Sequence, residues 1–521
     1  MSTVQPLLPE YLQHRASRIP GAVPAWSCTV EASELREICG RVKDAGGRIV
    51  ALWGADNTDL GLGFAVHLTL VVRAGLVCVT LTLPQERAQY PSIDDIFPAA
   101  NRMQRATYDL LGIEAQDSAD QRKWLRHGAW PAETFPLRKS VAVDAVFERE
   151  ADRYAFVKVE GEGVHEIPVG PVHAGTIEPG HFRFSIVGES VLRLEQRLGY
   201  KHKGIEKRAE GMTLSQCARL AGRVSGDSTV AYAWAYAQAV EGIARVEPPA
   251  RALWLRAILL ELERVHNHLG DLGYLGNDVA LAFGFFQFWR LKELVLRLNA
   301  ELFGHRYLMD VVVPGGVASD MPLEGPRKLL ELCAQLETQV RILRGIYDEH
   351  AGAQDRFIGS GRVAPQVAEA LGLTGLPGRA SGLAWDLRID HPTPPYDKLD
   401  VRMATHRNGD VAARVTVRFD EIVESLRLIR SLLGQAPAGA ITASLGDVPS
   451  EGFGVGWIEG WRGEVLVALE LGAEGCVRRL HPHDPSWQNW PLLERAVLDN
   501  IVPDFPLINK SFNLSYSGQD L

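Results

Sequence analysis

The sequence contains few cysteines, and none lies close to another. The 521 residues include six, and they are scattered along the whole chain: Cys28, Cys39, Cys78, Cys217, Cys333 and Cys476. A disulfide framework, a zinc site or an iron–sulfur cluster needs cysteines at short, matched spacings. The pattern therefore excludes a cysteine-based cluster site and predicts reduced thiols that are mostly buried.

Long apolar runs are also absent. The most apolar stretches are residues 60–84, which carry His67 and Arg73, and residues 279–289, which are too short to cross a bilayer. The N-terminus shows no apolar core after a basic start, so we expect no export signal. The net charge of −9 is spread over interspersed residues of both signs, which argues against nucleic acid as the main partner. These absences predict a cytoplasmic location.

The patterns that are present predict an α+β protein with two domains. Residues 1–150 mix short helices with β-rich runs such as RIVALWGAD and GFAVHLTLVV, which indicates an α/β domain. Residues 151–521 begin with β-structure and continue as a mainly helical domain with small β-sheets. In LWLRAILLELERVHNHLG, apolar residues recur at helical spacing and predict one buried stripe.

The densest polar cluster is the segment GPVHAGTIEPGHFRF. It contains His173, Glu178, His181 and Arg183, and its glycines permit turns that bring these side chains together. One interpretation is a loop that lines a pocket, where a histidine donates or accepts protons. The other is a hairpin loop with solvated histidines, and spacing alone favours it.

A second cluster lies in ELERVHNHLGDLGYLGND. Glu261, Arg264 and His268 share one helix face, beside the apolar stripe. Charged groups in that position usually pair with one another, so a structural ion network is the favoured interpretation. Asp278 is expected to follow a turn broken by glycines.

A third cluster, GYKHKGIEKRAE, is by itself typical of a solvated charge run. Its charged and titratable residues are His202, Lys203, Glu206 and Lys207. The segment HPHDP places His481 close to His483, but no matching ligand accompanies them, so a metal there is not favoured. The sequence has no nucleophile elbow, phosphate-binding loop or zinc spacing, and no cluster is a self-sufficient enzyme signature.

Several long motifs, in the right order, resemble one protein family. GPVHAGTIEPGHFRF, GYKHKGIEKRAE, GRASGLAWDLRIDHP and DFPLINKSFNLSYSGQDL are similar to the large subunit of energy-converting, formate-hydrogenlyase-type nickel–iron hydrogenases. They equally resemble the quinone-side, hydrogenase-derived 49-kDa subunit of respiratory complex I. DIFPAANRMQRATYDLLGI and PLRK resemble the complex I 30-kDa subunit that is fused upstream in such proteins. The resemblance implies a 30-kDa-like domain followed by a hydrogenase-large-subunit-like domain.

The resemblance also implies a setting. Family members lie peripherally on the cytoplasmic side of the membrane, against an iron–sulfur subunit and antiporter-like membrane subunits. The chain has no cysteines spaced for a cluster of its own, so electrons are expected from iron–sulfur clusters in the partner subunit.

The chain departs from the hydrogenases where their nickel ligands belong. A nickel–iron site needs two Cys-x-x-Cys pairs of soft thiolates. At these positions the chain has Ser225 and Ser228 in RVSGDST, and Ser515 and Gly518 in SYSGQDL. A serine hydroxyl does not stay ionised as a terminal ligand, and glycine has no donor. We therefore expect no metal and no nickel-dependent hydrogenase activity. The end of the chain at Leu521 also resembles complex I subunits.

The resemblance to complex I implies half of a quinone site. His181 matches the family's histidine, and Asp278 matches the buried aspartate that pairs with it. Leu214 stands where complex I has a tyrosine that hydrogen-bonds the quinone head group. Glu206 matches the glutamate that conducts protons in hydrogenases, and its retention indicates either a proton path or an internal ion pair. The expected cavity lining is His173, Arg183, Leu214 and His268.

Three functions remain open at this point. The preferred one is an oxidoreductase subunit whose former nickel cavity binds a quinone or another acceptor, with His181 and Asp278 supplying protons and Glu206 relaying them. The second is a non-catalytic subunit that transmits conformational or charge changes to membrane partners. The third, least favoured, is a hydrogenase with altered ligands. The donor, whether formate, a nicotinamide (NAD), ferredoxin or carbon monoxide chemistry, is not indicated.

Overall fold

The N-terminal region is built on one five-stranded sheet. A computed structural model describes residues 9–173 and 177–521 of the chain. The strand order is β1-β2-β5-β4-β3, with β2 and β5 parallel and the other pairs antiparallel. The strands are β1 Ser17–Arg18, β2 Ala25–Val30, β3 Arg48–Asp56, β4 Phe64–Val72 and β5 Gly75–Leu83.

Helices complete this region and bury the sheet. They are α1 Glu10–Gln13, α2 Ala32–Asp44 and α3 Ala100–Leu111, and a short parallel pair, β6 Gln89–Pro91 with β7 Glu114–Gln116, flanks them. In α2 the buried residues Leu35, Ile38 and Val42 recur at helical spacing, so one face packs on the sheet. Strands β4 and β5 are buried along almost their whole length, which explains their continuous apolar runs.

The second region opens with a three-stranded antiparallel sheet, in the order β10-β9-β8. Its strands are β8 Val164–Val169, β9 His181–Val187 and β10 Ser190–Arg197. A helical body follows, made of α4 Ile205–Ala209, α5 Leu214–Ala221, α6 Thr229–Ala244, α7 Ala250–Asp278, α8 Ala282–Phe303, α9 Gly325–Glu349, α10 Ala351–Phe357, α11 Pro365–Leu371, α12 Gly375–Ala380, α13 Leu387–Asp390 and α14 Val411–Gln435. The hairpin β11 Val312–Val313 with β12 Gly316–Val317 interrupts it.

Helix α7 confirms the predicted stripe and corrects one expectation. The residues of the stripe are buried: Leu255, Leu259, Leu262, Val265 and Leu269. Asp278, however, is the last residue of this same helix and does not follow a glycine-broken turn. The glycines serve packing. A β-carbon on Gly273 would lie 2.6 Å from Trp289 Cδ1, and one on Gly276 would lie 2.2 Å from the Tyr347 hydroxyl oxygen. Neighbouring helices approach closely there, so the glycines do not end the helix.

The chain closes with a sheet that joins the two regions. It consists of β13 Gly452–Glu459, β14 Glu464–Leu471 and β15 Val477–His483, followed by α15 Ser486–Ala496, α16 Phe505–Phe512 and α17 Tyr516–Asp520. Gly460 and Gly463 form the turn between β13 and β14. Arg479 Nε donates to the Gly54 carbonyl of β3 at 3.0 Å, and Arg48 forms an ion pair with Glu464. The fold is therefore α+β, with a 30-kDa-like region packed on a mainly helical one.

All six cysteines are unpaired thiols, and five are buried. Among the residues that the structure describes, no helix has both the length and the apolarity to cross a bilayer.

Candidate functional site

Four positions that the resemblance aligns with the nickel ligands of hydrogenases lie close together in the structure. Ser225 follows α5, and Ser515 precedes α17, yet their hydroxyl oxygens lie 2.9 Å apart. Gly518 N donates to Ser515 Oγ at 2.8 Å, which makes Ser515 the N-cap of α17. Ser228 Oγ accepts hydrogen bonds from Trp461 Nε1 at 3.1 Å and from Arg462 at 3.2 Å. We refer to Ser225, Ser228, Ser515 and Gly518 as the former metal centre.

The donors of the former metal centre are already engaged by neighbouring side chains. Ser225 Oγ donates to Asp227 Oδ1 at 2.7 Å, and the partly exposed Asp227 forms a bidentate pair with Arg462 at 2.6 and 2.9 Å. Arg462 Nε also donates to the Asn513 carbonyl at 2.6 Å, so it ties the two motifs together.

Asp484 occupies the space beside Gly518. It is buried, and its Oδ2 accepts a hydrogen bond from the Tyr232 hydroxyl at 2.8 Å. A β-carbon at position 518 would lie 2.4 Å from this oxygen, closer than real contacts allow. A cysteine therefore does not fit at this position without displacement of Asp484.

The residues present do not fit a nickel–iron centre. Hydroxyl oxygens and a glycine stand where soft thiolates are required. Cys217, the cysteine next to this region in the sequence, is buried, and burial raises the pKa of its thiol to about 12, so it stays protonated. Among the described residues, no group of three or more histidine, cysteine, aspartate or glutamate side chains is arranged to hold a metal ion.

Helix α17 links the former metal centre to the β8–β9 loop and to the segment that precedes α4. Ser517 N donates to Glu178 Oε2 at 3.1 Å, which connects the β8–β9 loop to the helix. Asp520 accepts hydrogen bonds from Gly199 N and Lys201 N, both at 2.8 Å. Burial raises the pKa of Asp520 to about 7. Three distant sequence motifs thus meet around one short helix.

Glu206 lies in a buried ion pair. The sequence alone indicated a solvated charge run here, but only 4% of Glu206 is exposed. Its Oε1 lies 2.7 Å from Arg479 Nη2 and accepts a hydrogen bond from His481 Nδ1 at 2.8 Å. Burial alone would raise the pKa of Glu206, but Arg479 and His481 outweigh it and lower the pKa to about 2. The carboxylate is therefore ionised at neutral pH.

His181, Arg183 and His173 surround the start of β9, while residues 174–176 of the loop lie outside the described residues. His181 Nδ1 donates to the Gly170 carbonyl at 3.3 Å, and Arg183 Nε donates to His181 Nε2 at 3.4 Å. His173 donates to the Gly180 carbonyl at 2.7 Å. Burial lowers the pKa of His181, so its ring is neutral at neutral pH. Both ring nitrogens of His181 already have partners.

Asp278 lies in a different place from His181. Within residues 9–173 and 177–521, no hydrogen bond or ion pair joins the two side chains. Asp278 lines a cavity of about 540 Å³ together with Arg356 and Asp504. Partial burial raises the pKa of Asp278, which favours its protonated form. The pairing that the resemblance implied is thus not formed directly.

Leu214 is the first residue of α5, and its backbone carbonyl accepts a hydrogen bond from a phenol. The buried Tyr236 donates its hydroxyl hydrogen to the Leu214 carbonyl at 2.9 Å. That phenol is therefore engaged by the backbone of the residue that the resemblance aligns with the complex I tyrosine.

His268 belongs to the ion network that the sequence predicted. Its Nε2 lies 2.7 Å from Glu421 Oε2, and Arg379 binds both Glu421 at 2.8 Å and Glu459 at 2.7 Å. Arg264 donates to the Gly460 carbonyl at 2.9 Å and so holds the β13–β14 turn that carries Trp461 and Arg462. The His268, Glu421 and Arg379 side chains are at most 2% exposed, so this network is a structural support and not a lining that solvent reaches.

Comparisons with known proteins identify the family of this chain. Residues 28–146 match the family described as respiratory-chain NADH dehydrogenase, 30 Kd subunit, and residues 278–450 match the corresponding 49 Kd subunit family. Formate hydrogenlyase subunit 5 of Escherichia coli (strain K12) is 30% identical over 98% of this chain and 93% of its own. The chain belongs to the family of fused complex I 30-kDa and 49-kDa subunits and their hydrogenase relatives.

Two other relatives widen the family. The fused C/D protein of the NADH-quinone oxidoreductase of Phocaeicola vulgatus is 30% identical over 81% of this chain and 85% of its own. A chain in the structure of the membrane-bound sulfane sulfur reductase, an archaeal respiratory membrane complex, superposes with a TM-score of 0.65 at 25% identity, over 69% of this chain and 99% of that one. The protein is accordingly a subunit of a membrane-bound, complex I-like or hydrogenase-related oxidoreductase.

Proposed function

We propose that this chain is a peripheral redox subunit that works without nickel and passes electrons to a quinone or a similar acceptor. The observation that carries the proposal is the closed former metal centre. Its hydroxyls bind one another at 2.9 Å, and Asp484 occupies the space beside Gly518. A subunit of this family that holds no metal must act on an acceptor or on its partners.

The chemistry of the acceptor is inferred from the titratable side chains that line a cavity or lie close to the start of β9. Reduction of a quinone to a quinol consumes two electrons and two protons. Asp278 lines a cavity of ligand size, and burial favours its protonated form, so it is suited to donate one proton. His181 is neutral, and it can hydrogen-bond an acceptor only after Arg183 or the Gly170 carbonyl is displaced.

Glu206 is assigned a positioning role. Its carboxylate is held by Arg479 and His481 and is ionised at neutral pH, which favours the ion-pair alternative over a proton relay. It fixes α4 against β15 beside the interface of the two regions.

The electrons and the setting come from partners. Since the six cysteines are isolated thiols, iron–sulfur clusters of a partner subunit are proposed as the donor to this chain, which itself holds no cofactor. We place the chain on the cytoplasmic side of the membrane, peripherally, beside antiporter-like membrane subunits. The similarity to a formate hydrogenlyase subunit and to an NADH-quinone oxidoreductase subunit supports membership of such a complex.

A second function, conformational coupling without catalysis, is favoured by one observation. Leu214 has no hydroxyl, and the nearby phenol of Tyr236 is engaged by the backbone. In that case the buried ion pairs would transmit a change of charge or shape to the membrane partners, and no acceptor would bind.

The purified complex distinguishes the two functions. Replacement of Asp278 by Asn removes the proposed proton donor, and the rate of reduction of a short-chain quinone is expected to fall at least about tenfold. Asp355→Asn is the matched control, because Asp355 lines the same cavity but has no proposed role. Equal rates in the two variants would show that Asp278 is not the proton donor, whereas an assembled complex that neither binds nor reduces the quinone would favour conformational coupling.

A further inference from the structure

A second cavity lies between the two regions of the chain, away from the residues assigned above to the acceptor. Its volume is about 480 Å³, within the range of small-molecule pockets. One wall comes from the segment that ends the 30-kDa-like region, and the other comes from the loop before α4 and from α4 itself. The apolar lining includes Trp130, Leu137, Val141, Val143, Phe147 and Met212.

The first wall is apolar but lacks regular structure. Residues 141–147 read VAVDAVF, and they form neither a helix nor a strand. Val143 lines the cavity and is nevertheless 60% exposed. An apolar wall that remains in contact with water at the mouth of a cavity gains free energy when an apolar group covers it.

The second wall carries positive charge that other groups do not fully neutralise. Lys207 pairs with Glu210 at 2.8 Å, and the carboxylate of Glu206 is already bound by Arg479. Lys203 Nζ donates to the carbonyls of Arg223 and Val224 at 3.1 and 2.7 Å.

Two cations in the lining, Lys203 and Arg208, form no ion pair with a carboxylate of the described residues, although Glu178 and Asp520 act on Lys203 from a longer distance. In the part of the chain that the structure describes, no carboxylate oxygen lies within 4 Å of Lys203 Nζ or of the Arg208 guanidinium. Lys203 is half-buried and Arg208 is exposed, so the positive end of the cavity is reachable from solvent.

We propose that this cavity binds an anionic amphiphile, a molecule with an alkyl chain and a head of negatively charged oxygens. The alkyl chain lies against Val141, Val143 and Phe147, where it replaces water on the apolar wall. The anionic oxygens lie at Lys203 and Arg208, where they form the direct ion pairs that these cations do not make within the described part of the chain. This site is separate from Asp278 and His181 and does not depend on the function proposed for them.

A fluorescent fatty acid, dansyl-undecanoic acid, tests the site on the purified full-length protein. We expect saturable binding of one equivalent. Val143→Asp places a charge in the apolar wall and should weaken binding at least about tenfold. Val146→Asp is the matched control, because Val146 lies three positions away, is 96% exposed and does not line the cavity. It should change the affinity less than about twofold. Absence of saturable binding, or equal loss in both variants, would overturn the proposal.

The head group is tested by competition. Oleate should displace the probe, and oleyl alcohol, which has no negative charge, should be much weaker. Arg208→Gln should weaken oleate binding by about two- to fivefold and reduce its dependence on salt. Arg219→Gln, an exposed arginine on the neighbouring α5, should leave both unchanged. Equal displacement by oleate and oleyl alcohol would overturn the assignment of an anionic ligand.

The same chemistry occurs in free fatty acids and in anionic membrane lipids, and vesicles separate the two sources. Co-sedimentation with phosphatidylglycerol vesicles that is lost in Val143→Asp and kept in Val146→Asp assigns the site to a membrane lipid. Oleate binding without such co-sedimentation assigns it to a free fatty acid. If neither ligand binds and a peptide of a partner subunit occupies the cavity in the assembled complex, the proposal is wrong.

Discussion

The former metal centre and the two cavities at Asp278 and Lys203 differ in how their polar groups are satisfied. At the centre, the hydroxyls of Ser225 and Ser515 bind each other, and Asp484 occupies the space beside Gly518. By contrast, Asp278 and Lys203 line cavities of about 540 and 480 Å³. The polar groups of the centre are thus satisfied by one another, while ligand-sized space remains at Asp278 and at Lys203.

The largest expected effect concerns the network that supports the closed centre. Arg379→Met leaves the carboxylates of Glu421 and Glu459 buried without their shared cation. We expect the free energy of unfolding to fall by about 3–5 kcal/mol, measured by urea denaturation with tryptophan fluorescence. Arg341→Met, which removes an exposed pair with Glu337, should cost less than about 0.5 kcal/mol. Similar losses in both variants would contradict a supporting role for the network.

The buried ion pair of Glu206 predicts a pH dependence of stability. Its folded-state pKa is lowered from an ordinary 4.5 to about 2. The stabilisation is therefore complete above about pH 4.5 and is lost as the pH falls through about 2. The loss is on the order of 3 kcal/mol, at about 1.4 kcal/mol per pKa unit.

Glu206→Gln checks this window. In that variant the fall in stability between pH 4.5 and 2 should be shallower than in the parent protein, while the exposed Glu349→Gln should follow the parent curve. Parallel acid curves for all three proteins would show that Glu206 is not paired as described.

The packing of Asp484 against Gly518 predicts a smaller loss of stability, and a control glycine at which the same substitution should increase stability. Gly518→Ala places a β-carbon 2.4 Å from Asp484 Oδ2 and should destabilise the protein by about 1–3 kcal/mol. Gly434→Ala, on the exposed part of α14 with no neighbour within 4 Å, should instead stabilise it by up to about 1 kcal/mol. A neutral result at position 518 would show that the space at the centre is open.

The smallest expected effect sharpens the choice between the two functions. Leu214→Tyr restores a phenol where complex I has one, and a single new hydrogen bond is worth about 1 kcal/mol. If a quinone binds nearby, its KM should fall about fivefold in the purified complex. Arg219→Tyr, on the same helix but exposed, is the control. An unchanged KM with an unchanged rate would favour the coupling function.

Local patterns predicted the elements but not the long-range partners. The spacing of apolar residues predicted α7, and the β-rich runs RIVALWGAD and GFAVHLTLVV predicted strands where the structure has β3 and β4. The glycines of α7 misled the prediction, because a glycine that breaks a helix and one that admits Trp289 or Tyr347 look the same in sequence. Their role depends on which helix packs against them.

In the candidate site, too, the sequence identified the residues but not their long-range partners. Motif resemblance located Ser225, Ser228, Ser515 and Gly518 correctly as neighbours. It gave no sign that Asp484 and Tyr232 occupy the space between the motifs, or that His481 binds Glu206 across 275 positions. In sequence, HPHDP is a pair of histidines without a partner. Only the fold brings the carboxylate of Glu206 to His481.

Metal analysis of the purified complex tests the central claim most directly. The account predicts no stoichiometric nickel on this chain after growth with nickel, while a nickel–iron hydrogenase prepared in parallel retains its metal. One nickel per chain that survives dialysis against a chelator would contradict the account, since hydrogen-bonded serines and a glycine would then hold a metal for which they offer no thiolate.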